Sequence, residues 1–154
     1  MTTIWLSNSI ATALLDHAEN YAPLETGGIL LGWRAPGNIH ITHIIGPGPA
    51  AQHTKTSFTP DHDWQTEQID RLYTDSGRRL AYLGDWHTHP KGSPIPSPQD
   101  LITLHTIAAH PQARCPQPLM LILGQPHTNQ WAATAHLYTG KRTPTSHNLI
   151  PLRQ

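Results

Sequence analysis

Apolar residues recur along the first third of the chain with two different periods. Ile10, Ala13, Leu14, His17, Ala18 and Tyr21 fall at i, i+3, i+4 and i+7 spacing, which predicts an amphipathic helix over 9–21. Asn8 or Ser9 can cap its start, and Pro23 lies just past its end. The run Gly-Ile-Leu-Leu-Gly-Trp at 28–33 predicts a buried strand. Over 38–45, Ile39, Ile41 and His43 alternate with His40, Thr42 and Ile44, predicting a strand paired to the first across Pro36-Gly37. Residues 46–59 are rich in Gly, Pro, Ser and Thr and predict a long loop of the kind that often carries function. A helix is predicted over 61–75, with Trp64, Gln68, Ile69, Leu72 and Tyr73 on its apolar face. A strand runs from Leu80 to Trp86, a helix from about Pro98 to His110, and strands over Leu119–Gly124 and Trp131–Tyr138.

This order of elements predicts an α/β (α+β) domain, a mixed sheet with helices against its faces. The 154 residues fit one domain, drawn as 1–140 with a loosely packed polar C-terminal tail over 141–154. A chain of this length buries roughly 70% of its unfolded surface without disulfide staples. Ten basic residues balance ten acidic ones, so no basic field exists to hold nucleic acid. No apolar run approaches the roughly 20 residues of a spanning helix, and the N-terminus lacks the pattern of a signal peptide. No nucleic acid, no membrane and a cytoplasmic location are therefore expected. Cys115 is the only cysteine, which rules out an intrachain disulfide and a thiolate zinc cage.

Histidine, at 12 residues, changes the picture. His87-Thr88-His89 closes the strand that starts at Leu80, so the two imidazoles point to one face and can share a metal. In so His-rich a chain a His-x-His arises about once by chance. Requiring Ser97 and Asp100 at fixed positions after it lowers the chance expectation to roughly 0.002. Ser97-Pro98-Gln99-Asp100 also reads as a helix start, with Ser as N-cap, Pro at the first position and an acid three residues on. The two readings are compatible, because a cap holds Asp100 in place. Two His and one Asp leave a tetrahedral zinc one open position for water, as in a catalytic site. A general base is then required. Of the three glutamates, Glu19 and Glu67 sit in polar helical stretches. Glu25 stands alone before Thr26-Gly27-Gly28 at the mouth of a buried strand; without the rest of the pattern it reads equally as a surface loop acid.

Glu-Thr-Gly-Gly-Ile-Leu-Leu-Gly (25–32), Trp-His-Thr-His-Pro (86–90) and Pro-Ser-Pro-Gln-Asp (96–100) resemble the JAMM/MPN (JAB1/Mov34/PAD-1) metallopeptidases. They are most similar to the prokaryotic JAB branch and its integrative-conjugative-element and antiphage-operon members. Thr42-His43, Gly46-Pro47-Gly48-Pro49 and the Phe58 region contribute to the likeness, which covers about 10–138, and Thr88 stands where Ser or Thr is usual. The resemblance implies a single MPN domain, cytidine-deaminase-like, with a curved mixed sheet flanked by helices. It implies one Zn²⁺ with a catalytic water, held by His87, His89 and Asp100. Glu25 would be the general acid/base, and Ser97 would help stabilise the oxyanion. The activity implied is isopeptidase or peptidase cleavage after the C-terminal glycine of a ubiquitin-like protein, deubiquitinase-like, with E1-like and E2-like proteins of an antiphage conjugation operon as further partners. The alternatives are processing of a sulfur-carrier protein and a non-catalytic MPN scaffold.

The loops 46–59 and 111–118 are candidates for contacting the modifier or its target. Asp85, on the His87 face of its strand, is either a group that orients a ligating imidazole or a strand-edge acid. Trp86 faces the opposite side and is expected in the core. His40, His43, His53, His62, His105, His110, His127, His136 and His147 have no motif partner and read as surface or satisfied polar side chains. Trp5, Trp33, Trp64 and Trp131 read as packing residues.

Overall fold

The computed structural model describes residues 2–127 and 130–149. Its elements are β1 (Thr3–Leu6), α1 (Asn8–Tyr21), β2 (Gly27–Ala35), β3 (Asn38–Ile45), the two-residue strands β4 (Gln52–His53) and β5 (Phe58–Thr59), α2 (His62–Asp75), β6 (Ala81–His89), α3 (Pro98–Ala109), a 3-10 turn at Pro111–Ala113, β7 (Leu119–His127), β8 (Gln130–Leu137) and β9 (Thr145–Asn148). Seven strands make one curved mixed sheet in the order β1-β3-β2-β6-β7-β8-β9, and β4 and β5 form a separate small hairpin. The expected α/β class and flanking helices are present.

The central strands are covered on both faces. On one side Leu14, Leu15 and Ala18 of α1 pack against Leu30, Ile39, Ile41, Leu83, Trp86, Leu119, Leu121 and Leu123. On the other side α2 covers Ile29, Leu31 and Ile45 with Trp64, Ile69 and Leu72. Leu104 of α3 covers Met120 and Ile122 on that same side. β2 and β7 are therefore almost wholly apolar over 27–33 and 119–124, as strands covered on both faces must be. Full burial of a Leu or Ile side chain contributes about 1.5–3 kcal/mol, and β7 alone has Leu119, Leu121, Ile122 and Leu123 at 0% exposure.

Three expectations need correction. First, the chain opens with a strand: β1 runs parallel to β3, with Ile4 opposite Ile39, although four residues carry too little pattern to be read alone. Second, the expected 46–59 loop contains the β4–β5 hairpin, with Gln52 opposite Thr59 and His53 opposite Phe58. Third, residues 145–148, expected in a loose tail, form β9 and pair antiparallel to β8, with Thr145 opposite Leu137 and Ser146 opposite His136. The strict alternation expected over 38–45 also fails. A bulge between Leu31 and Gly32 shifts the β2–β3 register, so that Leu31 faces His43 and Gly32 faces Ile41. The extra residue reverses the faces beyond it, which is how Ile44 joins the α1 side and Ile45 the α2 side.

Trp5 and Trp33 are not core residues. They are 52% and 43% exposed, stacked against the ring of His40 with centroids 5.8 and 3.8 Å away. Glu19 is not simply solvated either, since Trp131 Nε1–H donates to its Oε1 at 2.9 Å.

Gly28 marks a tight approach between β2 and its surroundings. A methyl group there would overlap the Ile45 carbonyl and lie 2.7 Å from Trp86 Nε1, whose N–H donates to that same carbonyl at 3.1 Å. Gly28→Ala is expected to destabilise the domain by about 3 kcal/mol, the upper end of the usual overpacking cost. Urea unfolding would measure it, and a loss below about 1 kcal/mol would mean that β2 relaxes freely here.

Candidate active site

Strand alternation puts His87 and His89 on the α2–α3 face, while Trp86 and Thr88, at 1% and 0% exposure, point into the opposite core. The strand ends here, and the chain turns through Lys91, in the left-handed region at φ 61°, into the proline-rich segment 90–97. Ser97 then starts α3 by a reciprocal cap. Asp100 N–H donates to Ser97 Oγ at 3.1 Å, and Ser97 N–H donates to Asp100 Oδ2 at 2.9 Å. This is the capping box read from the sequence, with Pro98 at the helix start.

The cap aims Asp100 at the two imidazoles. His87 Nε2 lies 3.1 Å from His89 Nε2 and 3.1 Å from Asp100 Oδ2, and His89 Nε2 lies 3.3 Å from Asp100 Oδ2. Two ligands bound at about 2.0–2.1 Å around a tetrahedral ion sit about 3.3 Å apart. The triangle formed by these three atoms has that size. His89 donates its Nδ1–H to the Ser93 carbonyl at 3.0 Å, which turns Nε2 toward the cluster. The donor set of two imidazole nitrogens and one carboxylate oxygen thus fits a divalent ion of the zinc kind.

Electrostatics agree with the geometry. Burial pushes the Asp100 carboxyl up, but the hydrogen bonds from His87 and His89 outweigh it and hold the group well below the ordinary carboxylate range. His89 is raised, first by its hydrogen bond to Asp100 against the opposing effect of burial, with help from the Ser93 carbonyl.

Glu25 stands beside this cluster at the entry to β2. Burial raises its carboxyl above the ordinary value, while His89 and His87 pull it back. Two devices fix its backbone. Glu25 N–H donates to the Thr54 carbonyl at 2.8 Å, and His53 Nδ1–H donates to the Glu25 carbonyl at 2.8 Å, so the β4–β5 hairpin grips it from outside. From inside, the Thr88 hydroxyl accepts from Thr26 N–H at 3.0 Å. The residue between the two histidines therefore ties the glutamate strand to the histidine strand, in register with Gly27 opposite His87. His53 had no motif partner in the sequence; its part follows only from the hairpin.

Asp85 lies on the His87 face as expected but does not orient that imidazole. Its Oδ1 accepts from Tyr82 O–H at 2.7 Å, and burial raises its carboxyl. The pair sits in the wall of a cavity of about 860 Å³ between α2 and α3, to one side of the ligand cluster. The 111–118 segment lies toward the other end of the strands from the cluster. It leads into β7 at Leu119, level with Gly84, whereas His89 is level with Gly124, five residues or about 16 Å further along the strand. Cys115 is buried and its Sγ faces the Leu83 carbonyl at 3.7 Å, away from the cluster.

A family model described as prokaryotic homologs of the JAB domain matches residues 7–135. The chain belongs to the prokaryotic JAB family. This JAB domain is 43% identical over 122 residues to a "Probable metalloprotease" of Sinorhizobium fredii, covering 78% of this chain and 74% of that protein. It is 41% identical over 133 residues to a "CD-NTase/cGAS isopeptidase" of Enterobacter hormaechei, covering 86% and 73%. It is 32% identical over 108 residues to a protein of the same name from Escherichia coli, covering 69% and 65%. A solution structure of a Desulfitobacterium hafniense protein superposes with a TM-score of 0.72 over 96% of this chain and 92% of that one, at 20% identity, which supports the fold. The chain is a JAB-type metallopeptidase or isopeptidase, and its family implies a metal ion. No helix among the described residues is long and apolar enough to cross a membrane.

Thr88→Val keeps the shape of this JAB residue and removes its hydroxyl, leaving the Thr26 N–H unpaired in a site with 0% exposure. The expected cost is about 1–3 kcal/mol, read by denaturant unfolding of the metal-free protein. An unchanged unfolding free energy would show that the backbone finds another partner.

Proposed function

We propose that this JAB domain is a zinc-dependent isopeptidase that cleaves after the C-terminal glycine of a ubiquitin-like modifier, releasing it from a target protein or maturing its precursor. The observation that carries the reading is the meeting of His87 Nε2, His89 Nε2 and Asp100 Oδ2 within hydrogen-bond distance of one another, with a raised, half-buried Glu25 beside them. The names of the Escherichia and Enterobacter relatives support a protein conjugate as substrate; an antiphage conjugation system served by E1-like and E2-like enzymes is the setting proposed for it.

His87, His89 and Asp100 would hold the ion. When bound, Zn²⁺ supplies Lewis-acid polarisation of the scissile carbonyl and makes water more acidic. The protein's own groups do the rest. Glu25 takes a proton from the attacking water and returns it to the leaving amine; burial moves its proton affinity in the direction a base working near neutral pH requires. Ser97 Oγ accepts from Asp100 N–H, and its hydroxyl proton is the donor offered to the developing oxyanion. The exposed side of the β4–β5 hairpin, anchored to Glu25 through Thr54 and His53, is placed to receive an extended glycine-rich tail as an added strand.

Cleavage of reporter fusions to candidate modifiers tests the reading. Glu25→Gln is expected to lower kcat by about 10²–10⁴-fold with metal content unchanged. Asp100→Ala is expected to lose both metal and activity, and chelation followed by added zinc should abolish and restore cleavage. A zinc-loaded protein that leaves every ubiquitin-like fusion intact, yet trims a sulfur-carrier tail, would replace the substrate class and keep the chemistry.

A further inference from the structure

His136 is a histidine outside the motif whose two ring nitrogens both meet partners, one of them in the segment that leads to Asp100. It lies on β8, opposite Met120 of β7, and is 2% exposed. Its Nδ1 lies 2.8 Å from Ser146 Oγ on β9. Its Nε2 lies 2.9 Å from the carbonyl of Pro94. A carbonyl only accepts, so Nε2 carries the proton, and Nδ1 is left to accept from the Ser146 hydroxyl. Burial lowers the proton affinity of this ring, in keeping with that neutral tautomer.

Pro94 belongs to the segment that joins His89 to Asp100, and Ser93 beside it accepts the Nδ1–H of His89. Two histidines on different strands thus hold two successive carbonyls. Pro94 links those carbonyls through a φ fixed near −65° by its ring, so orienting one restricts the other. The segment's other hydrogen bonds lie toward its ends, where Gly92 N–H donates to the His89 carbonyl at 2.9 Å and Ser97 N–H donates to Asp100 Oδ2. Pro94 and Pro96 have no N–H to donate, and Ile95 is 66% exposed. A cleft of about 450 Å³ adjoins it, lined by Ser93, Pro94, Ile95, Leu101, His136 and Pro144. Beneath it, Gly124 of β7 leaves room for the chain to lie flat: a methyl there would sit 2.5 Å from the Gly92 carbonyl oxygen and 2.7 Å from Pro94 N. Gly124 and the histidine bond together place the segment against the sheet.

We propose that His136 is a positioning residue for the metal centre: by donating its Nε2–H to Pro94 it holds the 90–97 segment so that Ser93 sets the tautomer of His89 and Ser97 presents Asp100. The proposal rests on His87, His89 and Asp100 being the ligands. It also gives β9 a part in the site, because Ser146 completes the hydrogen bonding of His136 from the last strand.

The test is zinc affinity, measured by competition with a chromophoric chelator, together with ring ¹⁵N spectra of the zinc-loaded protein. The wild type is expected to show His136 protonated at Nε2 and His89 protonated at Nδ1. His136→Leu is expected to bind zinc about 10-fold more weakly, the size of effect seen when a group behind a metal ligand is removed. His136→Gln, whose amide N–H can reach Pro94, is expected to recover to within about 3-fold of wild type. His136→Asn, whose shorter amide cannot reach, is expected to fall with the leucine variant, and the Gln–Asn contrast decides the matter if the leucine protein does not fold. Equal affinity of the Gln and Asn variants, unchanged affinity of the leucine variant, or a proton on Nδ1 of His136 would overturn the positioning role. His87→Ala serves as the control on the ligands. If it binds zinc as the wild type does, or the wild type binds none, the ligand assignment falls and this proposal with it.

Discussion

A β-strand can offer two metal ligands to one side only if the residues between and before them are content on the other. β6 meets that constraint with Trp86 and Thr88. The tryptophan fills the core against α1, and its indole N–H is satisfied by Ile45. The threonine is fully buried, and its hydroxyl answers Thr26 N–H. Because both are locked, His87 and His89 have no freedom to rotate to the far face, and their Nε2 atoms stay 3.1 Å apart. Everything else in the site is arranged around that pair. β2 brings Glu25 alongside through the Gly27–His87 register, and α3 brings Asp100 through its cap.

The parts of this arrangement that were legible in the sequence are those in which spacing alone carries geometry. His-x-His on a strand means one face; Ser-Pro-Gln-Asp means a capped helix start; a glutamate before two glycines means a carboxylate at the edge of a closely packed strand. The long apolar runs of β2 and β7 likewise declare strands covered on both sides. The relations that stayed hidden join residues far apart in the chain without a repeating pattern. His53 reaches Glu25 across 28 positions and His136 reaches Pro94 across 42, and in a chain of 12 histidines neither stands out. β1 and β9 have four residues each, too few for a period to show. The β3 bulge reverses an alternation that looked regular, because one inserted residue is invisible to a count of apolar positions. Asp85 is a different case: its face was right, but of its two readings the imidazole-orienting one fails, because Tyr82, brought round by the local irregularity at Leu30/Leu31 opposite β6, donates to its carboxylate instead.

The two carboxylates given roles in the proposed mechanism, Asp100 and Glu25, are set apart by their surroundings. Asp100 and Glu25 have similar intrinsic acidities, yet their environments drive them apart. Asp100 loses proton affinity because two imidazoles and the Ser97 N–H converge on it; an anion so stabilised is suited to meet a cation. Glu25 feels the same imidazoles more weakly, and burial wins; a carboxylate so placed retains affinity for a proton. Opposite displacement of paired acids by their surroundings is the arrangement from which ligand and base can be told apart. The backbone makes that difference possible. Asp100 is drawn into the cluster by its own helix cap, whereas Glu25 is held back by Thr54 and His53 on one side and by the Thr26–Thr88 tie on the other. With the proposed ligand set, a glutamate free to swing would join the two imidazoles and Asp100 as a fourth ligand and close the position that water needs. In the proposed mechanism, the hairpin that grips its main chain therefore bears on the chemistry as directly as the residues that would hold the metal.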